Sequence, residues 1–281
     1  MKIKNNRLVD DSGKMVEWVS SPNHSGKLID NGRPTTLVMH YTAGGPASRT
    51  VDYFKKSSAQ ASAHLVIGRD GEITQMIKLD TIAWHAGKSR WKGRDRVNRF
   101  SIGIELANYG KLKQTQSGDW VSWSGQTVPS NRVVVDDHKH FPGKQYGWEI
   151  FDPEQMDAVI AAAQAIVSEY NLDPWDLVGH EDISIHRKID PGPAFAMDKF
   201  RTMVFGREED TWNEFKYRVD SHSGLNLRTE PSVSGRLIEN LSDGTEVHVI
   251  ENIGNWWLVC KVINGDEDVT GYVHRNWLTP G

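Results

Sequence analysis

The texture of the chain changes near residue 205, and no single sheet or bundle accommodates both textures. Upstream, short apolar runs alternate with helical stretches, the pattern of an α/β domain built on a central sheet. Downstream from Tyr217 the runs are short and alternating, as in "LNLRT", "EVHVIE", "WWLVCKV" and "TGYVHR", with turn residues between them. About 65 residues of that kind are all-β, and a small barrel is the economical way for such strands to avoid exposed edges. A length of 281 residues also favours two domains. The expected division is 1–205 for the α/β domain, a charged connector "GREEDTWNEFK" for the linker over 206–216, and 217–281 for the small β domain.

Within the first domain, "TTLVMHYT" over 35–42 is an apolar, β-rich run that ends in Ala43-Gly44-Gly45-Pro46, so it reads as a buried strand with His40 near its end. "SAHLVIGRDGEITQMI" reads as a hairpin turning at Asp70-Gly71. "FSIGIELANYG" is another apolar strand, interrupted by Glu105. Residues 152–170 carry apolar positions Met156, Val159, Ile160, Ala163, Ile166, Val167 and Tyr170, which predicts an amphipathic helix with Asp152 as N-cap and Pro153 at N1.

Composition removes several function classes. No run of about 18 apolar residues is present, so no membrane span is expected. A formal net charge of -4 with scattered Lys and Arg offers no attraction to nucleic acid. The single cysteine, Cys260, excludes an intrachain disulfide and a thiolate cluster, so any metal must be held by histidine and carboxylate. Candidates for such a site are His40, His85 in "AWHAGKS", and His180 with Asp190 in "GHEDISIHRKIDPGPAF". A catalytic zinc takes three protein ligands of these types and leaves one position for water. Pro191-Gly192-Pro193 would hold the Asp190 loop still, because proline fixes φ and glycine allows a sharp turn. Eleven tryptophans include several in polar, glycine-bearing segments such as "DWVSWSG" and "GNWWLV", a distribution shared by cores and by aromatic grooves for sugars or peptides.

The segments "LVMHYTAG", "SAHLVIGRDGEITQ", "AWHAGKS", "GRDRVNRFSIGIELAN" and "GHEDISIHRKIDPGPAF" occur in the order of the motifs of zinc-dependent N-acetylmuramoyl-L-alanine amidases. From about residue 17 to 203 the chain resembles that family, which also includes peptidoglycan recognition proteins. The resemblance implies a central mixed sheet flanked by helices and zinc bound by His40, His180 and Asp190. It is nearest to the wall-recycling amidases, because the third ligand position is aspartate rather than cysteine. It further implies Glu105 as the carboxylate that orients the zinc-bound water, and Lys188 as the cation facing the oxyanion. Substrate contacts implied are Arg96 to a stem-peptide carboxylate, with Tyr41, Trp84 and His85 along the groove. Tyr41 stands where recycling amidases tend to have asparagine, which leaves intact against anhydro-muropeptide preference open. His64, His138 and His140 read as structural, "DDHKHF" lying in an apparent surface insertion.

The second domain resembles bacterial SH3-like domains through its Leu-Asn-Leu-Arg opening, Pro-Ser turn and later Gly-x-Trp. Such modules bind wall peptides or glycans, and Trp256, Trp257 and Trp277 are the candidate contacts. The function implied is hydrolysis of the amide between N-acetylmuramic acid and L-alanine in peptidoglycan or muropeptides, by a monomer. Non-catalytic peptidoglycan binding and a zinc peptidase cutting within the stem peptide are the alternatives. The N-terminus shows no apolar signal segment, so a cytoplasmic protein reaching the wall by non-classical export or holin-type release is expected.

Overall fold

The computed structural model describes residues 1–185, 187–206 and 216–280, with Pro142, Asn252, Ile253 and Pro280 described as backbone only. The chain divides into two compact units, Met1–Phe205 and Gly206–Gly281. Most of the expected linker, residues 207–215, lies outside the described residues. No helix among the described residues is long and apolar enough to cross a membrane.

The first unit is built on a mixed six-stranded sheet. Its strands are β1 (Glu17–Trp18), β2 (Thr36–Tyr41), β3 (Leu65–Ile67), β4 (Ile73–Gln75), β5 (Ser101–Leu106) and β6 (Leu177–Gly179). Around it run helices α1 (Ala47–Phe54), α2 (Pro153–Tyr170), α3 (His180–Ile183) and α4 (Met197–Phe205). The spatial order is β6-β2-β5-β3-β4-β1. β6, β2, β5 and β3 run parallel, while β3 and β4 form the antiparallel hairpin expected at Asp70-Gly71.

Strand alternation divides the two faces of this sheet. Leu37 and Met39 of β2 and Ile102, Ile104 and Leu106 of β5 join Val159, Ala162, Ala163 and Ile166 of α2 and Phe200 of α4 in one apolar core. The opposite face carries His40 and Glu105, and nearer its edge Val66, Met76 and Ala83 pack with Val51 and Phe54 of α1. The period of the sheet therefore places the polar residues of β2 and β5 away from the main core.

Helix α2 begins as expected, with Asp152 at the N-cap position and Pro153 at N1, but Asp152 does not cap it. Arg132 takes both carboxylate oxygens, at 2.6 and 2.8 Å. A forked, charged donor outcompetes a backbone N–H for a carboxylate. Inside the same helix the fully buried Gln155 donates to the carbonyls of Ile67 and Ala107, at 3.0 and 3.2 Å, pinning α2 to the ends of β3 and β5.

The segment between β5 and α2 corrects the expectation of a surface insertion. It forms a second, five-stranded sheet from Lys111–Gln114, Trp120–Val121, Thr127–Val128, Val133–His138 and Phe141–Glu149. His138 and His140 are buried, at 1% and 6% exposed. The polar spelling of "DDHKHF" signalled solvent, whereas these groups face other buried charges. His64 is structural as expected, its ring held between Thr81 O at 2.8 Å and the Gly103 amide at 3.0 Å.

In the second unit seven strands form one antiparallel sheet around a core of Val219, Leu225, Leu227, Leu241, Val247, Val249, Val259, Val269 and Val273. One sheet encloses a common core only by coiling upon itself, the SH3-like solution. Trp257 is half-buried, edge-on to Tyr217, and Trp256 is edge-on to His274. Trp277 is the one of the three candidate tryptophans that is exposed.

Replacing Gln155 by leucine removes the donor to Ala107 O and leaves that carbonyl buried. The expected cost is about 1–3 kcal/mol of stability, read as a lower urea midpoint for the first unit. An unchanged midpoint would mean that α2 is held by its apolar face alone.

Candidate metal centre and active site

The site gathers at the carboxyl ends of the parallel strands β6, β2 and β5, where open α/β sheets usually receive ligands. His40 is the penultimate residue of β2, and Glu105, the penultimate residue of β5, is its register partner. His180 follows the last residue of β6 directly and opens α3. Asp190 returns on the next loop, where the Glu181 amide donates to the Asp190 carbonyl at 2.8 Å. Beyond it, Gly192 lies at φ +72° against the Trp148 ring, and a Cβ there would come within 2.7 Å of that ring. Only glycine fits both the turn and the close approach.

His40, His180 and Asp190 are buried and present one another with single atoms. His40 Nδ1 lies 2.9 Å from His180 Nδ1 and 3.0 Å from Asp190 Oδ2, and His180 Nδ1 lies 2.9 Å from the same oxygen. Surrounding hydrogen bonds fix what these atoms are. Ser101 donates its hydroxyl proton to Val97 O at 2.7 Å, so it accepts from His85 Nε2 at 3.1 Å. His85 Nδ1 is then an acceptor, and His40 Nε2 donates to it at 3.0 Å. On the other side His180 Nε2 donates to Ala86 O at 3.1 Å. Each ligand histidine thus holds its proton on Nε2 and turns a lone pair on Nδ1 toward the carboxylate. Burial, reinforced by His180, lowers His40 to about 4, so its ring is neutral at neutral pH. Three electron-pair donors converge with no proton between the two nitrogens, and two imidazoles with one carboxylate are a zinc donor set.

His85, expected along the groove, is therefore also the outer partner that orients His40. Its ring occupies the space a side chain at position 103 would need, since a Cβ on Gly103 would lie 2.4 Å from it. Asn98 Oδ1 accepts from the amides of His85 and Ala86 at 3.1 and 2.7 Å, fixing this loop in turn.

The trio opens into a cavity of about 350 Å³ that Tyr41, Trp84, His85, Glu105 and Lys188 also line. Glu105 Oε2 is buried and has no hydrogen-bond partner among the described residues. Burial raises its carboxyl to about 8, Asp190 adding to the rise and Lys188 opposing it. Arg96 does not line this cavity. It is exposed on the turn before a short helical segment, at φ +63°. Arg187 lines the cavity instead and donates to Ala86 O and Lys88 O, both at 2.8 Å.

Behind the ligands lies a network that sequence reasoning missed. Lys139 Nζ reaches Asp182 Oδ1 at 2.5 Å and Glu181 Oε1 at 3.0 Å, and His138 Nε2 meets Glu181 Oε2 at 2.8 Å. Glu181 Oε2 also accepts from the Gly192 amide at 3.2 Å, and Asp182 Oδ2 from the Gly179 amide at 2.8 Å. Burial would raise Glu181, yet Lys139 and His138 bring it down to about 2; burial would lower Lys139, yet its two carboxylate partners push it up. This buried cluster grips the peptide on both sides of His180 and just past Asp190. The one sequence signal was the acidic pair after His180, in a run otherwise destined for the interior.

A family model described as N-acetylmuramoyl-L-alanine amidase matches residues 30–193, and one described as bacterial SH3 domain matches residues 223–279. The chain is 30% identical over 221 residues to the 1,6-anhydro-N-acetylmuramyl-L-alanine amidase AmpD of Enterobacter cloacae, covering 73% of this chain and 95% of the relative. It is 31% identical over 185 residues to the N-acetylmuramoyl-L-alanine amidase AmiD of Escherichia coli K12, covering 63% of this chain and 56% of the relative. A solved structure of E. coli AmiD with anhydro-N-acetylmuramic acid-L-Ala-D-gamma-Glu-L-Lys is similar with a TM-score of 0.47 and 25% identity, over 80% of this chain and 74% of that one. Since the first of these family models spans more than half of its length, the chain belongs to the N-acetylmuramoyl-L-alanine amidase family.

Proposed function

We propose that the protein hydrolyses the amide between N-acetylmuramic acid and L-alanine of peptidoglycan or muropeptides, with zinc held by His40, His180 and Asp190. The observation that supports this most directly is the convergence of two imidazole lone pairs and a carboxylate beside the unpartnered Glu105 oxygen. When bound, zinc supplies a water of lowered pKa and polarises the scissile carbonyl. Glu105 faces the same space from the adjacent strand and takes the proton of the attacking water, then returns it to the leaving amine. Its buried setting keeps its basicity above that of an ordinary carboxylate, which suits both transfers. Lys188, on the loop that also carries Asp190, places its charge where the carbonyl oxygen becomes negative. Trp84 and Tyr41 give the cavity apolar walls, with the Trp84 indole fixed on Ser25 Oγ at 2.9 Å. The SH3-like unit adds a second contact with the wall, through the exposed Trp277 among others, and so raises effective concentration on sacculi. The protein is made in the cytoplasm and acts on wall material inside it or after release.

The deciding experiment is mass spectrometry of products from a purified muropeptide, with zinc present and after chelation. Free peptide beginning at L-alanine is the expected product, lost on chelation and regained on adding zinc. A cut within the stem peptide would replace the amidase reading by a peptidase.

Asp190→Ala is expected to lose most of its zinc and all turnover, while Asp190→Cys regains part of the metal, because thiolate is a zinc ligand. A full equivalent of zinc in the alanine variant would remove Asp190 from the ligand set. Glu105→Gln is expected to keep its zinc and lose about 100-fold or more in kcat, the scale of a general base. Wild-type turnover in that variant would reduce Glu105 to a strand residue.

Lys139→Met keeps the length of the stem but leaves Glu181 and Asp182 without their cation. Outer partners of metal ligands are worth about 10- to 100-fold in affinity, and a zinc affinity weakened on that scale is expected by chelator competition. Lys139→Arg, which keeps the charge, should recover part of it; equal affinities in all three proteins would make the cluster irrelevant to the metal.

A further inference from the structure

One of the sequence's unusual tryptophans has no part in either the core or the chemistry. Trp123 lies in "DWVSWSG", at the tip of a hairpin formed by Trp120–Val121 and Thr127–Val128. The tip is a closed turn, in which the Gly125 amide donates to Ser122 O at 3.0 Å and the Ser122 amide to Gln126 O at 2.8 Å. Turn centres favour residues with a conformational or hydrogen-bonding use there, and an indole has neither. Trp123 is nevertheless 77% exposed, the most open of the exposed aromatic side chains among the described residues. Its polar edge is not idle. The indole N–H donates to the carbonyl of Ala43, a residue that lines the metal-bearing cavity three positions after His40. That part of the rim is itself fixed, the Thr42 amide donating to Leu106 O at 2.9 Å and the Gly44 amide to Asn108 O at 3.1 Å.

An indole tied by its N–H with its faces left open is a rigid flat surface, placed beside the opening through which substrate enters. Such a face is electron-rich and attracts the weakly positive C–H groups on the face of a pyranose, whose hydroxyls remain around the edge in water. Charged peptide groups gain nothing comparable from it unless they are cationic. We propose that Trp123 is a stacking platform for a hexopyranose of the glycan, forming a sugar subsite at the rim of the cavity. This rests on the amidase reading, in which the scissile bond hangs from a sugar and the glycan must lie along the cavity's edge. The hairpin then reads as a device for carrying one ring to that edge, and the enzyme prefers glycan longer than a single muramic acid.

The test uses the full chain as wild type, Trp123→Ala and Trp123→Phe. Calorimetric titration with a peptide-free β-1,4-linked N-acetylglucosamine tetramer should show binding that weakens about tenfold in the alanine variant and is largely kept by phenylalanine, the scale of one aromatic contact. In kinetics, the ratio of kcat/KM for N-acetylglucosaminyl-N-acetylmuramoyl tripeptide over N-acetylmuramoyl tripeptide should fall by about the same factor in Trp123→Ala. A wild type that does not bind the tetramer, or an alanine variant in which affinity and ratio are unchanged, overturns the platform. Equal loss on both substrates with an unchanged ratio also overturns it, since that is damage to the hairpin rather than loss of a sugar contact. Failure of the wild type to cleave either substrate while the tetramer binds in a Trp123-dependent way would sink the amidase reading and leave the subsite standing.

Discussion

Three electron pairs pointed at one spot repel one another, and a bound cation relieves that repulsion. His40, His180 and Asp190 are set in this arrangement from three separate segments, so the folded chain must supply enough rigidity to hold it. The rigidity comes in two kinds. Ordered proton positions run from Val97 through Ser101 and His85 to His40, and from Ala86 to His180, so that neither ligand ring can turn its protonated nitrogen inward. Buried charge does the rest: Lys139 and His138 bind the acidic pair that follows His180, and through Glu181 the amide of Gly192. Isolated, each of these ions would be costly to bury, and it is their mutual pairing that makes the cluster tolerable.

The sheet explains why a carboxylate stands free in such a setting. β2 and β5 are parallel and in register, so His40 and Glu105 occupy equivalent points on neighbouring strands and share a face. A shift of one residue in either strand would turn one of them into the core beneath α2 and replace it by an aliphatic side chain. The imidazole and the carboxylate are thus spaced by the geometry of a strand pair rather than by a flexible loop, the kind of support a catalytic constellation needs.

What was legible in the sequence was local. The Asp70-Gly71 hairpin, the strand ending near His40 and the start of α2 at Pro153 all follow from short-range pattern. The ligand set could be named only by resemblance, because no periodicity brings Asp190 to His40 across 150 residues. Failures arose where a side chain had two possible partners. Asp152 reads as a cap and is held by Arg132; "DDHKHF" reads as a surface insertion and joins charges 43 residues away. Pairing between distant buried ions leaves no trace in local composition.

The segment between β5 and α2 supplies both His138 and Lys139, which grip the loop that carries His180 and Asp190, and the hairpin whose tip touches Ala43. Its five strands form one sheet, so these two ends are mechanically continuous. A change inserted here cannot retune one without straining the other. Lengthening or exchanging the hairpin would travel along the sheet to the ion cluster, and loosening the cluster would let the rim drift. Divergence in the rim of the cavity is therefore coupled to how firmly the His40, His180 and Asp190 trio is held, and variants of this segment should survive as whole cassettes rather than as mosaics.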